Sequence, residues 1–335
     1  MEATYRAVVL TGKGGLDRLE ERVLPLREPG PGEVRVRVRA AGAGATDLTM
    51  RTGNYPYRPS FPFTVGYEVV GEVDAIGEGV TGFSLGDRVC ALTVHGAQAE
   101  SLVRDAQDFV KVPTGLDDAE VTALILNYVT AYQMIHRCWS PRAGATALVT
   151  GPKGGVGSAL VELLVLLGVK VIGVSRGQPV EETARAIVAQ GVDVSFDGLG
   201  GAGTGACIRA TRKGGTVVGY GFVDTLKNGR PSVLRSLRGF WSIFVGARFV
   251  GRRPVFYGIT QRYRKDRASF REDLPKLFSL LAQKKIQPRI AARLPLLAGV
   301  EAQRLLEAGG VAGKIVLVRE PPRAIATDNV SSSHA

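Results

Sequence analysis

The chain is poor in the residues that build disulfide frameworks and metal clusters. Its 335 residues include three cysteines, Cys90, Cys138 and Cys207, and three histidines. The cysteines are widely spaced, so they form neither a disulfide pattern nor a zinc cluster. The sequence also lacks an apolar run of about 20 residues that would cross a bilayer, and it begins without the apolar core of a signal peptide. These absences predict a reducing, cytoplasmic location.

Acidic residues are almost missing from one segment. Between Lys227 and Arg267 there are eleven basic residues and a single acid, Asp266, whereas the whole chain has a net charge of +12. The basicity is therefore local. Part of this segment has a helical apolar face, formed by Leu234, Leu237, Trp241, Phe244 and Val245. Three roles remain open for residues 233–253: a cover over a substrate pocket, an amphipathic contact with an anionic membrane, or a dimer or partner surface. We expect no nucleic-acid partner, because no recognised binding motif is present.

The first 120 residues carry the pattern of short strands. "EVRVRVRA", from Glu33 to Ala40, alternates Val and Arg, which predicts a strand with one buried face and one solvated face. Short apolar runs separated by Gly and Asp follow, and they favour a small barrel with tight turns.

The pattern changes to alternating helices and strands after Asp117. Apolar residues recur at helical spacing from Val121 to Tyr132, with acids in the first turn. Strand "TALVTG", helix "SALVELLVLLG" and strand "VKVIGVS" then form one βαβ unit with almost continuously apolar strands. Such strands are typical of a parallel sheet that is buried on both faces.

A glycine loop connects this first strand to its helix. Gly151 permits a tight turn, Gly154 lets backbone N–H groups approach a diphosphate, and Gly157 allows the helix to pack closely on the strand. The strand before the loop and the helix after it make a dinucleotide site the favoured interpretation. Lys153, inside the loop, either adds charge near the phosphates or points to solvent.

The end of the second strand indicates which dinucleotide is bound. An NAD site usually has Asp or Glu there to bind the ribose 2′-OH. This chain has Ser175 and Arg176, and Arg176 lies 19 residues after Gly157. A guanidinium can bind a 2′-phosphate with two parallel hydrogen bonds, whereas a carboxylate would repel it. The sequence therefore predicts NADPH.

Several motifs together give the chain a family likeness. "AAGAGATDLTMRTGNYP", "GYEVVGEVDAIGEGVTGFSLGDRV", "YVTAYQM", "GPKGGVGSALVELLVLLG" and "GVAGKIVLV" occur in this order. Over residues 3–319 they resemble the medium-chain dehydrogenase/reductase superfamily, in its zinc-free quinone oxidoreductase (zeta-crystallin-like) branch. The resemblance implies an α/β protein with a GroES-like β-barrel catalytic domain from both chain ends and a doubly wound Rossmann domain between them. We place the catalytic domain at 1–120 and 288–320 and the NADPH-binding domain at 121–287, with a basic aromatic insertion at about 225–267 and a disordered tail at 321–335.

The zinc positions of the family are altered in this chain. Gly44 and Tyr67 stand where the zinc dehydrogenases carry a cysteine and a histidine, and Glu68 remains without ligand partners. The four-cysteine structural lobe is absent, so we predict no metal. Without a metal to polarise a carbonyl, hydride transfer is easiest to an already electrophilic carbon, and an enone or a quinone fits. A non-catalytic lipid- or membrane-associated protein that retains the fold is the alternative.

The resemblance and the motif positions together nominate the site residues. The resemblance places Tyr55 near the nicotinamide and Thr130 beside the cofactor amide. Tyr67 and Asn127 are added because of their positions, as donors to a substrate oxygen. The predicted catalytic residues are Tyr55, Tyr67 and Asn127. The predicted cofactor-binding residues are Thr130, Gly151, Pro152, Lys153, Gly154, Gly155, Val156, Gly157, Ser175, Arg176, Tyr220, Gly221 and Phe222.

Two further features of the Rossmann domain are predicted. The interval from Ser175 to Gly191 is too short for the family's extra strand and second helix, because a further βα pair needs on the order of 30 residues. We therefore expect a sheet without its third strand, with a more open adenosine side. "RPVFYGIT", from Arg253 to Thr260, reads as the strand that this family uses at its dimer edge, so a homodimer is expected.

Overall fold

The computed structural model describes residues 3–175, 177–200, 202–221 and 245–319. Arg176, Phe222 and the apolar residues from Leu234 to Phe244 lie outside these ranges. The strands are β1 Thr4–Leu10, β2 Leu19–Pro25, β3 Glu33–Ala43, β4 Phe63–Thr64, β5 Glu68–Ile76, β6 Arg88–Leu92, β7 Ser101–Asp105, β8 Val110–Lys111, β9 Thr146–Thr150, β10 Lys170–Val174, β11 Val192–Asp197, β12 Thr211–Gly219, β13 Arg253–Phe256, β14 Ile290–Pro295 and β15 Lys314–Val318.

The described helices complete the element order. They are α1 Ala45–Arg51, α2 Asp118–Ala123, α3 Val129–Gln133, α4 Gly155–Leu166, α5 Val180–Ile187, α6 Ala202–Ala210, α7 Ala247–Phe249, α8 Ile259–Lys265, α9 Arg267–Ala282 and α10 Gly299–Ala308. Short 3-10 turns span Leu16–Arg18 and Ala106–Asp108, and π-helical turns span Leu124–Tyr128 and Met134–Cys138. Among the helices that the structure describes, none is long and apolar enough to span a membrane.

Strands from both ends of the chain form the GroES-like part. One sheet has the order β14-β15-β3-β5-β6-β8, with β7 also paired to β3, and a second sheet has the order β2-β1-β4. The C-terminal strand β15 runs antiparallel to β3. The fold class that the sequence predicted is therefore confirmed, with late residues returning to complete the first domain.

The alternation in β3 has the predicted consequence. Its valines are fully buried, and its arginines face outward, where each meets a carboxylate: Arg35 lies 2.9 Å from Asp74 and Arg37 lies 2.8 Å from Glu72. These carboxylates come from the neighbouring strand β5. The arginine face is thus a solvated face held by cross-strand ion pairs.

The Rossmann-type sheet has five parallel strands in the order β10-β9-β11-β12-β13. In the described chain, the interval between β10 and β11 holds one helix, α5, and β10 lies at the edge of the sheet. The prediction that one strand-helix unit is missing is confirmed. All five strands point their carboxyl ends to one edge, where ligands of such sheets bind.

One boundary in this half differs from the sequence-based expectation, and another agrees with it. The strand predicted from Arg253 to Thr260 ends at Phe256, because Gly258 forms the N-cap of α8 and its carbonyl accepts a hydrogen bond from Arg262 N at 2.9 Å. Thr260 therefore lies on a helix. The helix predicted after Asp117 does begin there, and the Asp117 carboxylate accepts hydrogen bonds from the N–H groups of Ala119 and Glu120, both at 3.0 Å.

Candidate functional site

The glycine loop follows β9 and leads into α4. Gly151 has a φ of +67°, which favours glycine, and a Cβ at Gly157 would lie 2.1 Å from the carbonyl oxygen of Gly151. Both positions therefore require glycine. Gly154 has an ordinary φ of −72°, and the nearest atom to its Cβ position is 3.5 Å away. Its side-chain position is open, as is that of the exposed Lys153.

Of two predicted residues from the helices after Asp117, Asn127 lies against this loop and Thr130 is buried. The Asn127 amide nitrogen lies 2.5 Å from the position that a Cβ on Gly155 would take, so Asn127 packs against the loop. Thr130 is 5% exposed, and its hydroxyl makes no hydrogen bond of normal geometry to the described residues. The structure places Asn127 against the glycine loop, and its catalytic role stays a prediction.

The second strand ends in a tight turn. The Ser175 N–H donates to the Gln178 side-chain oxygen at 2.7 Å, and the Gln178 N–H donates to the Ser175 carbonyl at 3.1 Å. Arg176, the residue predicted to bind a 2′-phosphate, lies outside the described residues. The turn stands beside the edge of the sheet that the missing strand leaves open.

A buried carboxylate organises the loop after β11. Asp197 accepts hydrogen bonds from Thr204 Oγ1 at 2.6 Å and from the Gly200 N–H at 3.1 Å. The Tyr220 hydroxyl lies 2.5 Å from the Cβ position of Gly198 in this loop. A Cβ on Gly221 would lie 2.1 Å from the Gly198 carbonyl oxygen, so position 221 requires glycine. Phe222 lies outside the described residues. We did not predict Asp197, although the sequence "DGLGG" directly after a buried strand was a usable signal.

Two predicted catalytic tyrosines meet in one hydroxyl cluster. The Tyr55 and Tyr67 hydroxyls are 2.5 Å apart, and the Tyr55 hydroxyl is 2.7 Å from Thr260 Oγ1. Tyr67 also contacts Thr260 through its hydroxyl, and both side chains are 1% exposed. Thr260 is not among the predicted site residues, because the sequence around it has the pattern of a strand.

Burial keeps these phenols protonated. It is the largest influence on both groups, and it raises the pKa of Tyr55 above its ordinary value and that of Tyr67 well above it. The hydrogen bonds of Tyr55 with Thr260 and Tyr67 oppose this increase in its pKa. At neutral pH the cluster therefore consists of three neutral hydroxyls, each with one hydrogen to donate.

A buried ion pair occupies the region of the altered zinc positions. The Lys314 ammonium pairs with Glu68 and lies 3.5 Å from the Cβ position of Gly44, where the zinc enzymes have a cysteine. A Cβ on Gly42 would lie 1.9 Å from a Glu68 oxygen, so glycine there makes room for the pair. Burial and the charge of Glu68 raise the pKa of Asp47 to about 7. Within the described ranges, no group of three or more His, Cys, Asp or Glu side chains is arranged to hold a metal ion.

The fold is that of oxidoreductases that use a nicotinamide cofactor. The glycine cradle at the start of α4 and the buried Thr130 hydroxyl are compatible with such a cofactor. Residues 30–114 match the family of alcohol dehydrogenase GroES-like domains, and residues 167–317 match the zinc-binding dehydrogenase family. The chain belongs to the medium-chain dehydrogenase/reductase superfamily and is of the quinone oxidoreductase type, as the sequence motifs predicted.

Individual relatives cover almost the whole chain. The mouse synaptic vesicle membrane protein VAT-1 homolog-like is 30% identical over 98% of this chain and 85% of its own length. A 2-haloacrylate reductase from a Burkholderia species is 27% identical over 93% of this chain and 98% of its own length. The solved structure of mycobacterial Rv1454c complexed with NADPH superposes with a TM-score of 0.80, at 26% identity, over 93% of this chain and 99% of that chain.

Proposed function

We propose that the protein is an NADPH-dependent, zinc-independent reductase of activated C=C bonds or quinones. One observation carries the proposal: Tyr67, which replaces a zinc ligand, shares a hydroxyl cluster with Tyr55 and Thr260. A cluster of neutral hydroxyls can donate hydrogen bonds to a substrate oxygen, and it thereby supplies without metal the stabilisation that an enolate or quinol anion needs. The relative named 2-haloacrylate reductase acts, by its name, on an α,β-unsaturated acid, which supports the same substrate class.

The protein's own residues divide the work between cofactor and substrate. The loop from Gly151 to Gly157 would hold the diphosphate at the N-terminus of α4, with Thr130 beside the nicotinamide. NADPH, when bound, supplies the hydride. Tyr55 would donate to the substrate oxygen as negative charge develops there, and Tyr67 would hold Tyr55 in place. Arg176 remains our candidate for the 2′-phosphate.

The reaction is tested by following loss of NADPH absorbance with a panel of enones and quinones, in chelator-treated protein. We expect turnover with at least one substrate class, and a much lower rate with NADH than with NADPH. Arg176→Ala should reduce the preference for NADPH and leave NADH turnover unchanged. Absence of turnover on every member of the panel would count against the proposal.

A second role at a membrane surface has one supporting observation. Phe249 is 85% exposed and Val250 is 45% exposed at the described end of the basic segment, next to Arg252 and Arg253. Exposed apolar groups beside cations are typical of a peripheral contact with anionic lipid. Co-sedimentation with anionic vesicles tests it, and we expect Phe249→Ser to weaken binding while Val23→Ser, at a different exposed apolar position, does not.

We also keep the domain boundaries, the cytoplasmic location and the homodimer as proposals. Strand β13 stands at the end of the described strand order, and antiparallel pairing of β13 with the same strand of a second copy, across a two-fold axis, would join the two sheets. Size-exclusion chromatography with light scattering tests the dimer, and Val255→Pro would disrupt it by removing a strand N–H and distorting the edge.

A further inference from the structure

The hydroxyl cluster connects two parts of the molecule. Tyr55 and Tyr67 belong to the GroES-like part, whereas Thr260 lies on α8, which follows the last strand of the Rossmann-type sheet. The same helix makes a second cross-connection, because the Tyr263 hydroxyl donates to the Asp108 carboxylate at 3.1 Å. Helix α8 therefore contacts the GroES-like part at two positions, Thr260 and Tyr263.

The three hydroxyls of the cluster can exchange their hydrogen bonds when a substrate binds. Three hydroxyls own three hydrogens, and the cluster contains three contacts, so a closed ring uses every hydrogen. When Tyr55 turns its hydrogen to a substrate oxygen, Tyr67 and Thr260 are both free to donate to the Tyr55 oxygen. Hydrogen bonds to an ionised oxygen are about twice as strong as those between neutral groups. The ring is therefore suited to stabilise Tyr55 after it loses its proton.

We propose that Thr260 is a positioning residue that promotes proton donation by Tyr55, an inference that rests on the proposed reductase function. After hydride has added to the β-carbon of an enone, the negative charge lies on the enolate oxygen. The Tyr55 O–H bond breaks as an O–H bond forms on the substrate, and the phenolate of Tyr55 accepts hydrogen bonds from Thr260 and Tyr67. The enol converts to the ketone, and a solvent proton restores Tyr55.

Two variants at one position test this role. Thr260→Val has nearly the same shape without the hydroxyl, and Thr260→Ser keeps the hydroxyl. For Thr260→Val we expect kcat to fall about tenfold or more, because a hydrogen bond to a charged group is lost, while KM changes by less than about twofold. The alkaline limb of the pH profile should move to higher pH, because Tyr55 then holds its proton more tightly. Thr260→Ser should retain kcat and the pH profile.

A measurement without substrate separates this inference from the proposed reaction. Protein labelled with 3-fluorotyrosine is titrated by ¹⁹F NMR, and the Tyr55 resonance is assigned by its loss in Tyr55→Phe. The Tyr55 pKa should rise in Thr260→Val and remain unchanged in Thr260→Ser. If the wild type reduces no enone or quinone, the proposed function fails, while this titration still tests the contact. An unchanged Tyr55 pKa in Thr260→Val, or a serine variant that behaves like the valine variant, would overturn the role of Thr260.

Discussion

Replacing Lys314 by methionine should destabilise the protein strongly, because it breaks the buried ion pair with Glu68. Lys314 is 3% exposed and Glu68 is fully buried, so water cannot take the place of the lost partner. Loss of one member of a buried pair costs about 3–5 kcal/mol. Asp47 lies in the same cluster, and its charge adds to the repulsion at Glu68. We expect a loss of this size in the free energy of unfolding, measured by urea denaturation at pH 8.

Two control variants make this result decisive. Lys276→Met removes a lysine that pairs with Asp273 at 3.4 Å but is 55% exposed, and it should cost less than about 1 kcal/mol. The double variant Lys314→Met with Glu68→Gln removes the unpaired charge and should recover most of the loss. The cost of Lys314→Met should shrink as the pH falls, because Glu68 becomes protonated. A cost below 1 kcal/mol at pH 8, or a double variant no better than the single one, would refute the reasoning.

Three further outcomes follow from the site. The Asp47 pKa of about 7 lies above its ordinary 3.8, so the native state binds this proton more tightly than the unfolded state does. The free energy of unfolding should therefore fall as the pH rises from 4 to 7, by up to about 1.4 kcal/mol per pH unit. Asp47→Asn should remove that slope from the stability measured in urea, and an identical slope in the variant would contradict the assignment. Gly157→Ala should lower both stability and NADPH affinity, since its Cβ would meet the Gly151 carbonyl. Gly154→Ala should weaken NADPH binding, measured by calorimetry, and leave stability unchanged. Equal losses of stability in the two variants would contradict this distinction. Tyr55→Phe should lower kcat for enones by about 100-fold or more with unchanged NADPH affinity, and full activity would remove this tyrosine from the mechanism.

Local sequence patterns were sufficient to predict much of the fold. The alternation in β3 and the apolar strands β9 and β10 act over a few residues, so their period alone indicates which face is buried. Glycine is required at positions 151 and 157 by contacts within the same loop, so the local sequence was enough to predict it. The missing strand could be predicted because chain length limits what an interval can hold.

Contacts across the chain were harder to predict. Thr260 approaches Tyr67 over 193 positions, and no local pattern marks it. Lys314 likewise pairs with Glu68 only because β15 returns to the first domain, and no local pattern predicts that contact. The contact of Asn127 with Gly155 also joins distant positions, so its motif position did not show it, and its catalytic role stays a prediction.

The central claim is direct hydride transfer to an activated carbon without a metal. The most direct measurement uses NADPH deuterated at C4, an enone substrate and chelator-treated protein, with the product analysed by NMR. The account predicts deuterium on the β-carbon of the product and a rate that the chelator does not change. Product without the label, or activity that appears only after zinc is added, would contradict it.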